Sequence, residues 1–192
     1  MDMMEVCNEG LSVAAWRSQM AIWSIMTSPL ILGNNPLNMT KACLDIIGNE
    51  EIIALNQDAN VQRAKLVHQW PDPLPFGKNT TWVPPQAPPP PEGAPGPPHD
   101  ATMNVTISLQ IWVKHLASGD IAAVAFNREN ENGTSIVANI TQAMLGMDAG
   151  TSMDVRDLFL HKTVAEKVTT YSAPVPPMDS LALRFSRVKH AD

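Results

Sequence analysis

The 192-residue sequence predicts two unlike parts, an α/β segment over residues 1–58 and an all-β antiparallel sandwich domain over 59–192. Three observations carry that reading. Residues 1–58 set helical periodicity on either side of a short, wholly apolar run. Residues 106–192 alternate apolar and polar side chains at strand spacing, punctuated by Gly and Pro. Between them, about 69–105 holds 12 of the 17 prolines and reads as a polyproline-like or disordered insertion within the sandwich domain.

Ser12 is placed to cap a helix running to about Ser28, with Trp16, Met20, Trp23 and Met26 or Thr27 marking its buried face. Pro29 stops it. Leu30-Ile31-Leu32 then suits a strand buried on both faces, as in a parallel sheet, and Gly33-Asn34-Asn35-Pro36 ends that run. Thr40 caps a second helix with Leu44, Ile47, Ile52 and Leu55 apolar, closed by Asn56-Gln57-Asp58. Helix, buried strand and helix form the pattern of an α/β layer.

Past the insertion, Ile107, Leu109, Ile111 and Val113 alternate with Ser108, Gln110, Trp112 and Lys114, a half-buried strand. Ser118-Gly119-Asp120 turns the chain into 121–127, giving a hairpin. Further strands are predicted at 134–139, 153–159, 168–172 and 181–188, with Leu181, Leu183 and Phe185 on one face of the last. Such spacing indicates a small antiparallel sandwich.

Composition narrows the function classes. An apolar content of 44% excludes wholesale disorder, and a net charge of -6 argues against nucleic acid as a partner. Residues 18–40 carry no charge, but Gln19, Ser24, Thr27, Ser28, Pro29, Asn34, Asn35 and Pro36 crowd them. A buried helix fits better than a membrane span. Cys7 and Cys43 lie in no C-x-x-C or Cys/His cluster, so no metal site is implied. They read as two free thiols, with a single bridge between them as the alternative.

The first residues lack the basic and apolar regions of a secretory signal. Yet five sequons start at Asn38, Asn79, Asn104, Asn132 and Asn139, where chance supplies roughly one or two. The two facts agree if this chain is the downstream part of a longer secretory protein.

Chemistry is sparse. G-x-S-x-G, P-loop, Rossmann and H-E-x-x-H motifs are absent, and the five histidines (68, 99, 115, 161 and 190) are isolated, reading as surface or hydrogen-bonded side chains. Asp2 and Glu5 are the carboxylates just ahead of the α/β segment. A carboxylate at the C-terminal end of a barrel strand would face the active site of an α/β barrel.

An ordered series of motifs adds to this. Asp2-Met3-Met4-Glu5-Val6, Gly10-Leu11-Ser12, Trp16-Arg17-Ser18, Trp23-Ser24-Ile25-Met26, Ser28-Pro29-Leu30-Ile31-Leu32 and Ile52-Ile53-Ala54-Leu55-Asn56-Gln57-Asp58 follow one another. The series resembles the end of the catalytic barrel in family 27 glycoside hydrolases, the α-galactosidases or melibiases. Downstream, Gln110-Ile111-Trp112-Val113, Ala123-Val124-Ala125-Phe126-Asn127-Arg128, Val155-Arg156-Asp157-Leu158-Phe159 with His161-Lys162, and Val175-Pro176-Pro177 resemble that family's C-terminal sandwich. Against the family pattern, Met1 stands for a proline, Cys7 for a usual Gly and Asn35 for a usual Asp, and the proline-rich stretch is an expansion.

The resemblance implies the last part of a (β/α)8 barrel followed by the sandwich, and retaining hydrolysis of terminal α-galactosyl groups by two Asp residues about 5–5.5 Å apart. No position here matches either catalytic motif. Only Asp2 and Met3 match positions lining the sugar pocket. The implied partner is a galactose-terminated carbohydrate, with no metal or organic cofactor. The implied compartment is extracellular, vacuolar or lysosomal for the full-length protein.

A barrel needs eight strands and about 250 residues. With one strand present, Leu30–Leu32 is expected to lack a lateral neighbour and the Trp16/Met20/Trp23 face a sheet to cover, leaving the isolated chain inactive. Two other readings are a non-catalytic carbohydrate-binding or interaction module and an α-N-acetylgalactosaminidase-type or β-L-arabinopyranosidase-type glycosidase.

Overall fold

A computed structural model describes residues 3–70 and 108–188. Asp2, most of the proline-rich stretch and the Asn79 and Asn104 sequons lie outside the described residues.

The first part opens as expected. The Ser12 side chain accepts from the Ala15 amide and starts α1, Val13–Ile25. Met20, Ala21 and Ile25 are fully buried, as are Ser18 and Ser24, while Trp16 and Trp23 are half-buried against the same cluster. After α1 the chain turns back, and Leu32 forms a parallel bridge with Met4. The Met4 amide donates to the Ile31 carbonyl at 2.8 Å, and the Gly33 amide donates to the Met4 carbonyl at 3.0 Å. Leu30–Leu32 therefore has a lateral neighbour on one side, contrary to the sequence reading. It is not buried on both faces either, since Ile31 is 55% exposed. Gly33 suits this close approach: a Cβ would meet the Met4 carbonyl oxygen at 3.1 Å and Met3 Cβ at 3.3 Å, and these neighbours would have to give by a few tenths of an ångström.

Asn35 caps a short 3-10 turn, Pro36–Asn38. The single helix predicted from Thr40 is two, α2 (Lys41–Ile47, capped by Thr40) and α3 (Glu50–Asn56, capped by Asn49). Gly48 closes the first, and the Asn49 side chain accepts from the Ile52 amide to begin the second. The free-thiol reading is overturned: Cys7 and Cys43 form a disulfide, with Cα atoms 5.5 Å apart. Folding sets the turn after Met4 beside the first turn of α2, a proximity hidden by 36 residues of separation.

The second part is an antiparallel sandwich. Its strands are β1 (Lys65–Trp70), β2 (Leu109–His115), β3 (Ile121–Asn127), β4 (Ile136–Thr141), β5 (Met153–Asp157), β6 (Lys162–Val168), β7 (Thr170–Val175) and β8 (Ser180–Arg187). A short helix, α4 (Gln142–Leu145), follows β4. Six strands make one sheet in the order β1-β2-β3-β8-β5-β6, and β4 and β7 make a second. The β2–β3 hairpin and the β8 face are as predicted; β1 had no period-2 signature. The strand predicted at 168–172 is two strands that leave for different sheets, β6 and β7. β5 stops at Asp157 because its carboxylate accepts from the Phe159 and Leu160 amides and turns the chain.

Two cores share the large sheet. Ile111, Ile121, Ala123, Ala125, Leu183 and Phe185 pack inward against Ala138, Ile140 and Val175 of the small sheet. On the other face, Ala122, Val124 and Ala182 pack against Met20, Ala21, Ile25, Ile52 and Leu55. Alanine at 122 and 182 lets α1 approach both strands. The α1 face thus does have a sheet to cover, the sandwich's own. That burial places Trp112 and Lys114 toward the helices instead of solvent, which corrects their reading as the polar side of a half-buried strand.

Lys114 is 1% exposed, and its Nζ donates to Thr27 Oγ1 at 2.9 Å and the Leu55 carbonyl at 2.6 Å. Burial pushes its pKa down, partly offset by Asp58. The ammonium ties the end of α3 and the turn after α1 to β2. Lys114→Ala leaves these acceptors unpaired and opens a cavity, so unfolding free energy is expected to fall by about 2–4 kcal/mol in denaturant titration. From loop-closure entropy over a separation of 36 residues, Cys43→Ser is expected to cost about 4 kcal/mol.

Candidate functional site

The first part contains two βα units: the segment at Met4 leading to α1, and the segment at Leu32 leading to α2 and α3. Their parallel pairing puts Met3 and Gly33 together at the strand ends that precede helices. In an α/β barrel these ends form the active-site face. Met3, a predicted pocket residue, sits there 51% exposed. Its predicted companion Asp2 lies outside the described residues.

The sequons are dispersed. Asn38 belongs to the 3-10 turn, Asn132 is exposed in the loop before β4, and Asn139 is exposed on β4. The Asn139 Oδ1 accepts from Ser172 Oγ at 3.0 Å.

A second cluster went unread in the sequence. Glu51 of α3 accepts Arg156 Nε and Nη2 of β5, both at 2.7 Å, and lies 2.8 Å from His161 Nδ1. The paired bonds from Arg156, helped by His161, hold the Glu51 carboxyl down at about 2 despite the opposing effect of burial. Nearby, Asn49 Nδ2 donates to the Leu158 carbonyl at 3.0 Å, and the Arg17 guanidinium lies 4.5 Å above the Phe159 ring.

Arg17 also reaches Asp179 Oδ2 at 3.1 Å. Burial raises the Asp179 pKa and Asp157 adds to this, while Arg17 and the Ser180 amide pull it down. Every group in this cluster is engaged with protein, which suits fastening rather than proton transfer to a substrate. Segment 155–162 is therefore a latch between the sandwich and helices α1 and α3. His161, read as a surface or hydrogen-bonded histidine, is the latter and belongs to it. Glu51 lies within the single helix predicted from Thr40, where periodicity held no signal for its role.

The fold thus combines strand-end βα units with an antiparallel sandwich packed on their helices. Residues 1–58 match the family description "Alpha galactosidase A", and residues 106–185 match "Alpha galactosidase C-terminal beta sandwich domain". Alpha-galactosidase 3 of Arabidopsis thaliana is 28% identical across 100% of this chain, which spans 36% of that relative. Alpha-galactosidase I of Mortierella vinacea shares the fold with a TM-score of 0.71 at 24% identity, covering 96% of this chain and 38% of that one. The Saccharomyces cerevisiae α-galactosidase structure with raffinose has a TM-score of 0.67 at 18% identity, covering 97% and 46%. The chain belongs to the family 27 glycoside hydrolases, corresponding to their C-terminal portion.

The latch has a defined pH response. Glu51 titrates near 4.5 when unfolded and about 2 when folded, so its contribution is full above the unfolded value. It is expected to vanish as pH falls from about 4.5 toward 2. Denaturant midpoints across that window should drop in the native chain and drop less in Glu51→Gln.

Proposed function

We propose that this chain is the C-terminal part of a retaining α-galactosidase, with 1–58 as the catalytic-barrel remnant and 59–192 as the sandwich domain. The observation that carries this reading is the parallel Met4–Leu32 pairing through α1, which presents two strand ends as one stretch of barrel rim. In this reading Asp2 and Met3 form part of the wall around a terminal α-galactosyl group. The Asp2 carboxylate supports the sugar hydroxyls and biases the charges of the reacting pair. The nucleophile and the acid/base stand on barrel strands outside these 192 residues. One attacks the anomeric carbon while the other protonates the leaving oxygen, then activates water.

The compartment we infer is extracellular or vacuolar/lysosomal. The Cys7–Cys43 bridge supports an oxidising environment, and the sequons accord with it. Alkylation of the natural protein without reductant is expected to leave both cysteines unlabelled; labelling would place the protein in a reducing compartment.

Two measurements test the activity reading. The purified 192-residue chain is expected to release no chromophore from a nitrophenyl α-galactoside above the uncatalysed rate. In a complete homologue, Asn at the position equivalent to Asp2 is expected to lower kcat/KM by more than about tenfold. An unchanged value removes Asp2 from the pocket.

A further inference from the structure

β1 is an edge of the six-stranded sheet, and its His68 and Trp70 pair with Ile111 and Leu109. They therefore lie on the inward face, which carries the small sheet, with β4 above β2. Between β1 and β4 opens a cleft of about 400 Å³ whose walls include His68, Trp70, Glu129, Thr134, Val137 and Asn139. Trp70 is 57% exposed. A cleft walled by an indole together with imidazole, carboxylate, hydroxyl and amide groups suits a pyranose, which offers apolar C–H faces and a rim of hydroxyls.

Two sequons meet at this cleft. Asn132-Gly133-Thr134 places Thr134 in its wall, and Asn139-Ile140-Thr141 places Asn139 there. The Asn139 Oδ1 is engaged by Ser172, whereas its Nδ2 has no hydrogen-bond partner among the described residues. A substituent on Nδ2 would break no hydrogen bond among the described residues.

We propose that Asn139 carries an N-linked glycan and that the cleft seats its first pyranose against Trp70. The amide nitrogen attacks the anomeric carbon of a lipid-pyrophosphate-linked oligosaccharide. The N–C1 bond forms, the C1–O bond breaks, the lipid pyrophosphate leaves with the electron pair, and the amide loses one proton. This rests on the secretory-pathway reading for the donor and transferase. A tethered sugar is favoured over a free one because a single aromatic wall in an open cleft binds weakly, while a short tether supplies millimolar effective concentration.

The test uses the full chain secreted behind a cleavable leader from a glycosylating host, so its outcome is independent of where the natural protein resides. Peptide mapping is expected to find Asn139 glycosylated. Trp70→Ala is expected to lower Tm by about 3 °C in the glycosylated chain and to have little effect in the Asn139→Gln background. Under native conditions, enzymatic release of the Asn139 glycan is expected to be ~fivefold faster in Trp70→Ala than in the parent chain.

An unoccupied Asn139, or equal release rates, overturns the proposal. Unglycosylated chain titrated with chitobiose is expected to show no saturable shift of the Trp70 indole resonance below about 1 mM. Saturation at lower concentration would make the cleft a site for free oligosaccharide, overturning the tethered assignment.

Discussion

The structure depends on a sheet buried on both faces. β3 and β8 turn Ile121, Ala123, Leu183 and Phe185 toward the small sheet and Ala122, Val124 and Ala182 toward α1 and α3. A strand with both sides covered has no solvent face, so its sequence becomes a continuous apolar run. The run 121–126 is such a strand. The helices in turn bury their apolar stripe on this sheet, and each part supplies the surface the other needs.

Polar contacts fix how the two parts sit. Lys114 reaches through the shared core to the end of α3, and the 155–162 latch holds α3 and α1 from β5. Charged groups at such a seam contribute orientation more than net energy, because each must be desolvated before it can pair. Glu51 accepts two parallel bonds from one guanidinium, which defines an angle as well as a distance. The motif around Arg156, Asp157 and His161 thus has a mechanical reading: Asp157 turns the chain, and the turn delivers Phe159 and His161 to the helices.

The barrel side of the molecule is open where the sandwich side is closed. Met4 and Leu32 share one bridge, and Met3, Ile31 and Leu32 present apolar side chains to solvent. Exposed apolar surface beside unpaired strand edges is costly for a chain standing alone. The same exposure is natural for a rim segment flanked by neighbouring strands.

Local sequence determined the features that depend on local chemistry. Ser12, Thr40 and the Gly119 turn act within a few residues of themselves, and the alternation in β2 and β8 reports one inward face directly. Long-range proximity was settled by folding alone. Cys7 and Cys43 meet across 36 residues, and Glu51 meets Arg156 across 105. Lys114 reads as solvent-facing until α3 covers it, and β1 declares itself only through its pairing with β2. Periodicity records which residues share a face, but what lies against that face is a property of the assembled chain.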